Sequence, residues 1–464
     1  MKIDDRIEVC YIPADKFKTG GINITFCDNL CGDRAYKNAL IPMILCQGTK
    51  NYPTARRIAE RFQQLYGADF TTNVDKRGEI QMVQFVADFV EDKYANGNAG
   101  LFEQTAEMLL EIITNPLTEF NASTGKEAFR EVYFLQERKN NNDFIRSLKN
   151  DKKLYAMLRC QETMCDGENY AIHEMGAPED GDRLDAASLY EYYREYFLAR
   201  TVVKVFVCCR EEPLWLYDKL KVLCSDFTVG TELASDFGYR EKKEVGEVKY
   251  VKEPAELAQG KLNIGFRTNV PPASDDFYAL AVCNGIFGAG PHSKLFQNVR
   301  EKNSLAYYAA SRIERFKGLL IAYSGIDPAN YEQAKDLILD QLREIQQGHI
   351  TQEEYEDTVK MFMNSFYSYK DTLFSVMDFH INQILLGTEL TIDEFVDKIK
   401  SVPLADVIRV SRNITLDTVY FLGDRDAAAD SCGDRVEDKN AASESGPDTT
   451  AKERGGLEYE PDQK

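Results

Sequence analysis

The chain has 464 residues, 44% of them hydrophobic and including 25 Tyr and 26 Phe; that is more apolar surface than one core needs, so two domains of roughly 200 residues each are expected. A formal charge of −20 repels phosphate over long range and argues against nucleic acid or an anionic membrane as partner. The opening MKIDDRIEVCYIP places acids where a signal peptide needs an apolar core, and no apolar run approaches the roughly 18 residues of a membrane span, so a cytoplasmic protein is expected.

Ile7 to Tyr11 and Ile22 to Phe26 alternate as strands do, with a break expected at Gly20-Gly21. Lys37 to Phe70 then reads as an apolar helix, a Gly48-Thr49 break, a second short helix and a turn into a strand. Thr54 is its N-cap candidate, Ile58, Phe62 and Leu65 fall at helical spacing, and Gly67 stands where a C′ glycine belongs. Pro42 costs a helix interior about 3 kcal/mol, so the first of these helices is expected to kink or begin late.

A strand over Ile80 to Val90 precedes a helix over Leu101 to Asn115, whose Phe102, Ala106, Leu109 and Ile113 share a face. The charged stretch from Lys126 to Arg159 reads as helical, Leu184 to Phe197 as a tyrosine-rich helix, and Thr201 to Cys209 as a buried strand. These elements form a first domain, 1–226. Residues 227–257 mix glycine with dense charge and read as a linker with room for one strand.

The second domain, 258–423, opens with a strand at Leu262 to Arg267. Helices follow at Asp276 to Ile286 and Ser293 to Arg300, then strands at Leu305 to Ile313 and Gly318 to Gly325. Three amphipathic helices come next, one marked by Tyr355, Val359, Phe362 and Phe366, and Val419 to Leu422 closes the fold. Beyond it, 424–464 carries 12 acidic and 6 basic side chains with few apolar ones, a composition that reads as a disordered tail. The 11 cysteines include no C-x-x-C, and several lie in apolar strands, as reduced, buried thiols would.

The two halves echo each other. Asn23-Ile24-Thr25-Phe26 recurs as Asn263-Ile264-Gly265-Phe266, and the same spacing carries Ala39-Leu40 onto Ala279-Leu280 and Gly48 onto Gly288. Strands grouped between runs of helices, in the same order twice, point to an α+β fold of two similar domains, each an antiparallel-rich sheet packed by helices.

Two stretches resemble the pitrilysin, insulinase and mitochondrial processing peptidase family. Its signature is an inverted zinc helix, H-x-x-E-H, followed five residues on by Gly-Thr; counting back from Gly48-Thr49, those positions hold Ala39, Leu40, Ile41, Pro42 and Met43. In the family the two histidines bind zinc and the glutamate takes a proton from the metal-bound water. Here Ala39 has no donor atom, Met43 offers a thioether suited to softer metals, and Pro42 cannot move a proton. Glu137 corresponds to the family's distant third ligand, and on a charged helix it reads as solvated or salt-bridged.

The second stretch runs from Phe287-Gly-Ala-Gly-Pro-His-Ser-Lys-Leu-Phe296 to Arg300-Glu-Lys-Asn-Ser-Leu-Ala-Tyr307. It resembles the family's C-terminal block, whose arginine and tyrosine, here Arg300 and Tyr307, help to hold the substrate backbone. The bare residues also fit an Arg300 paired with a carboxylate and a Tyr307 on a strand face. Gly288 to Lys294 lacks phosphate-loop spacing, and the four histidines, 173, 292, 349 and 380, include no pair at metal-binding spacing.

The resemblance implies an inactive subunit with no metal of its own. It would pair with a zinc-bearing paralogue, or with a second copy, and enclose a chamber for a peptide substrate. A structural subunit without a role in proteolysis, like the core subunits of respiratory complexes that share the fold, is the alternative; a metallopeptidase acting alone is the third.

Overall fold

Strand β1 (Ile7–Pro13) is followed by β2 (Thr19–Asn29), and both glycines of the expected break lie inside β2. They are there because neighbours leave no room for a Cβ: one added to Gly20 would meet the Phe89 ring at 2.3 Å, and one on Gly21 would meet Leu373 at 3.0 Å. The computed structural model describes residues 1–95, 100–121, 125–221 and 245–423. The tail 424–464 and residues 227–244 of the expected linker lie outside them.

Helix α1 (Gly32–Leu45) starts early and carries Pro42 in its last turn, so the expected kink or late start gives way to one continuous helix. There the proline removes one backbone bond close to a helix end, where bonds are already few. Thr54 caps α2 (Ala55–Gln64) by accepting the Arg57 N–H, and Gly67 has φ +74°, the left-handed conformation of a helix terminator. Strands β3 (Phe70–Arg77) and β4 (Ile80–Val90) form a hairpin, and α3 (Leu101–Thr114) packs on β4.

The single helix expected from Lys126 to Arg159 is three elements. A short hairpin, β5 (Thr118–Asn121) with β6 (Lys126–Phe129), leads into α4 (Glu131–Ser147); Asp151 then caps a separate α5 (Lys152–Met164) through the N–H groups of Lys153 and Leu154. Strand β7 (Val202–Cys209) completes a sheet in the order β1-β7-β2-β4-β3, antiparallel except for the β1–β7 pair.

The second sheet repeats that plan. Strands β8 (Lys249–Pro254), β9 (Gly260–Arg267), β10 (Ala306–Glu314), β11 (Leu319–Ile326) and β12 (Thr415–Gly423) run in the order β10-β11-β9-β12-β8, again with one parallel pair, β8–β12. Read from the other edge, this is the first sheet's topology, and the 23/263 spacing places both Asn-Ile-x-Phe tetrads on the central strands β2 and β9. The one strand expected within the linker is Lys249–Pro254, whose alternating half-buried and exposed residues form an edge strand with one wet face. After β11 come five helices rather than three, at Tyr331–Gln347, Gln352–Tyr369, Leu373–Leu385, Ile392–Lys400 and Leu404–Ser411.

Each sheet buries one face under its own helices and the other under a helix lent by the opposite half. Ile22, Ile24 and Phe26 face α1 and α3, whereas Cys27, Phe206 and Cys208 pack against Leu373, Met377 and Ile381 of the late helix. In the second sheet Ile264 and Phe266 face the local core, while α5 lies over Gly265 and packs Ala156 and Cys160 against Tyr420 and Leu422. At about 1.5–3 kcal/mol for each fully buried large apolar side chain, the three from Leu373–Leu385 alone tie the halves by several kcal/mol.

A buried ionic cluster crosses the same seam. Arg267 pairs with Glu168 at 2.6 Å and Asp417 at 3.0 Å, and Lys317 with Glu79 at 2.6 Å and Glu168 at 2.8 Å. Burial raises the Glu168 carboxyl, but the two cations outweigh it and hold the group below its ordinary value.

Candidate functional site

The Gly48-Thr49 break has a geometric cause. A Cβ on Gly48 would sit 2.8 Å from the Pro53 backbone, and Thr49 Oγ1, fully buried, accepts the Tyr52 N–H at 2.9 Å. This turn fixes the end of α1 against the end of α3, where Leu117 N–H donates to the Gly48 carbonyl. On α1 itself Ala39 and Pro42 are buried in the core and Met43 is partly buried against it, so the three degenerate positions serve as packing.

Helix α4 brings Glu137 to this place, and here the structure corrects the sequence reading. Glu137 is only 4% exposed and has no ion pair among the described residues; Gln47 Nε2 donates to its Oε1 at 3.0 Å and Asn140 Nδ2 to its Oε2 at 3.1 Å. Burial pushes its carboxyl above the ordinary glutamate value, with the Asn140 hydrogen bond opposing. Gln47 follows Met43 by one helical turn in sequence, a partner that the zinc motif, ending at Met43, gave no reason to examine.

The residues present do not fit a catalytic zinc, which needs three protein ligands and an open position. Alanine and a thioether stand where imidazole ligands are required, and neutral amide N–H groups, with no cation, stand beside Glu137. Among the described residues no group of three or more His, Cys, Asp or Glu is placed to hold a metal ion.

The histidines lie in separate surroundings. His173 Nδ1 accepts the Met175 N–H at 3.1 Å, so its neutral ring carries the proton on Nε2, 3.9 Å from Glu174; burial lowers its pKa. His292 bonds Thr358 at 2.8 Å, and Lys294 in the glycine-rich turn is buried against Glu354 at 2.9 Å, a structural ion pair where a phosphate loop would need a free cation. Burial holds the Cys27 and Cys283 thiols at about 12, far from thiolate chemistry.

Arg300 and Tyr307 come together. Arg300 lies in the last turn of a run of wide helical turns, Leu295–Lys302, its guanidinium 4.6 Å above the Phe296 ring and 3.6 Å from Glu301. Tyr307 sits in a β-bulge of β10, between Ala306 and Tyr308, which turns its ring outward to 67% exposure. Both line one surface pocket of about 480 Å³ with Ser304, Asp327 and Asn330. Every residue of that pocket belongs to the second half, so Ala39 and Met43 are not part of it.

Residues 183–362 match the family described as Peptidase M16 inactive domain. YmfF of Bacillus subtilis strain 168, described as a probable inactive metalloprotease, is 33% identical over 427 residues, covering 90% of this chain and 96% of YmfF. The chain belongs to the peptidase M16, or insulinase, family. This M16 chain is thus a homologue of a protein described as a probable inactive metalloprotease. A second relative, YmxG of the same bacterium, is described as an uncharacterized zinc protease and is 26% identical over 253 residues, 53% of this chain and 60% of YmxG. The fold matches the crystal structure of a conserved protein from Enterococcus faecalis V583 with a TM-score of 0.82 and 28% identity, over 92% of this chain and 98% of that one. Across the described residues no helix is long and apolar enough to cross a membrane.

Proposed function

We propose that this chain is the non-catalytic subunit of a peptide-processing pair, in which a zinc-bearing M16 paralogue, or a second copy in a homodimer, forms the other wall of a peptide chamber. The observation that carries this reading is an asymmetry within one intact fold: the zinc positions Ala39, Pro42 and Met43 have become core, while Arg300 and Tyr307 remain exposed in a shared pocket. Core packing alone gives no reason to hold a guanidinium and a bulged phenol at one open surface. The pair offers a forked donor and a second hydrogen bond to peptide carbonyls and to charge developing on a partner's substrate. The partner would be of the kind that YmxG's description, a zinc protease, denotes. A cytoplasmic setting accords with thiols that burial keeps protonated.

The test is reconstitution with the zinc-bearing partner and a double variant, Arg300→Ala with Tyr307→Ala. Peptide cleavage should fall by about a hundredfold, the scale of a lost oxyanion donor, with assembly by size exclusion unchanged. Undiminished cleavage would favour a structural subunit instead.

A further inference from the structure

A cluster of lysines stands uncompensated in this strongly acidic chain. Lys149 lies in the connection between α4 and α5, Lys152 and Lys153 are the first two residues of α5, and Lys261 belongs to β9. The Tyr308 ring leans over Gly325, where a Cβ would sit 2.5 Å from it; its centre is 5.1 Å from the Lys153 ammonium and 5.6 Å from that of Lys261, and the Tyr323 ring is 5.4 Å from Lys153. Two ammonium groups thus share one phenol ring, a contact that favours each cation without cancelling their repulsion.

Lys152 Nζ donates to the Lys149 carbonyl at 2.7 Å and Lys261 Nζ to Gln259 Oε1, but among the described residues none of the four lysines has a carboxylate at ion-pair distance. The acids close by are engaged. Asp151 accepts the N–H groups of Lys153 and Leu154 as the cap of α5, and Glu253 accepts from the Tyr155 and Tyr420 hydroxyls and pairs with Arg159. Lys152 and Lys153 also occupy the positive end of the α5 dipole, where a cation is unfavourable. Burial holds the Lys261 ammonium below its ordinary value; Asp151 opposes that shift and Lys153 adds to it.

The register of the second sheet puts an anionic segment within reach. Leu422 of β12 pairs with Lys261, Lys261 with Gly325 and Gly325 with Tyr308, so β12 ends in the row of the cluster, one strand spacing of about 4.8 Å from Lys261. Asp424, bonded to Gly423, therefore starts beside it. Residues 424–438 hold six acidic side chains against Arg425 and Arg435. A coil of that length spans roughly 20 Å, more than the roughly 14 Å of three strand spacings from β12 to Tyr308. We propose that the lysine cluster is the docking surface for the acidic segment 424–438 of the same chain, whose carboxylates supply the ion pairs that Lys149, Lys152, Lys153 and Lys261 lack. The tether keeps the segment at high effective concentration, so several individually weak surface pairs suffice to hold it. This docking is independent of the peptide-chamber reading.

The test is zero-length carbodiimide cross-linking of the full-length chain at low concentration, as an equal mixture of isotope-labelled and unlabelled protein. The reagent joins a lysine Nζ to a carboxyl carbon as an amide and takes up the water as a urea, so only groups already in contact react. Peptide mapping should find amides from the acids of 424–438 to the four lysines, within one copy, about tenfold more abundant than those to the exposed Lys18 and Lys139. Salt at about 1 M, which screens beyond roughly 3 Å, should cut them about fivefold. In a second measurement, Lys153→Gln with Lys261→Gln should make cleavage after Arg435 by an arginine-specific protease several-fold faster, with unfolding temperature unchanged. Amides spread evenly over the exposed lysines, amides formed only between labelled and unlabelled copies, or cleavage indifferent to the double variant would overturn the docking.

Discussion

Glu137, where the family resemblance implies a metal ligand, is a buried carboxylate that two amide N–H groups hold without charge. Because burial raises its pKa, the folded chain binds this proton more readily than the unfolded chain, so the group's contribution to stability is fullest below the ordinary glutamate value and is lost as pH climbs through the raised one. Glu137→Gln, neutral at every pH, should therefore gain stability relative to the parent on going from about pH 5 to about pH 8. Glu137→Ala leaves Gln47 unpaired and should cost about 1–3 kcal/mol. Urea unfolding at both pH values checks this, and a Gln variant as damaged as the Ala variant at the higher pH would contradict it. That positions 39 and 43 hold no imidazole is a fact of the sequence and needs no coordinates. That Glu137 is buried was not legible there, since its helix neighbours are charged and only the packing of α4 on α1 hides it.

At the level of elements, the one mismatch in the repeated tetrad has a cause. Thr25 faces a position where its hydroxyl can bond Asn23, but a Cβ at Gly265 would lie 2.7 Å from Met164 Sδ on α5. Gly265→Thr, which restores the first copy's residue, should push α5 off its sheet, with an overpacking cost of about 1–3 kcal/mol and a melting temperature lower by several degrees. An unchanged melting temperature would mean that α5 is not seated as described. The apolar strand expected near Ile80–Val90 has those bounds. Helices split by caps were not readable: Thr351 and Thr391 each form a capping box with the glutamate three residues on, and those signals mark boundaries within the region expected to hold three helices.

For the molecule as a whole, duplication was readable because two copies kept one spacing through strand, helix and glycine break. The exchange of α5 and Leu373–Leu385 between halves was hidden, since an amphipathic helix does not say which sheet its apolar face will meet. That exchange and the Arg267, Glu168 and Lys317 cluster join both halves of the M16 chain into one body. The zinc positions and the Arg300 pocket are thus fixed to the same frame, one degenerate and one open. Metal content and peptidase activity of the purified chain alone, measured beside those of its pair with a zinc-bearing paralogue, test this most directly. The account predicts no stoichiometric zinc and no chelator-sensitive hydrolysis from the chain alone, with both appearing in the pair; one zinc per isolated chain together with turnover abolished by chelator would contradict it.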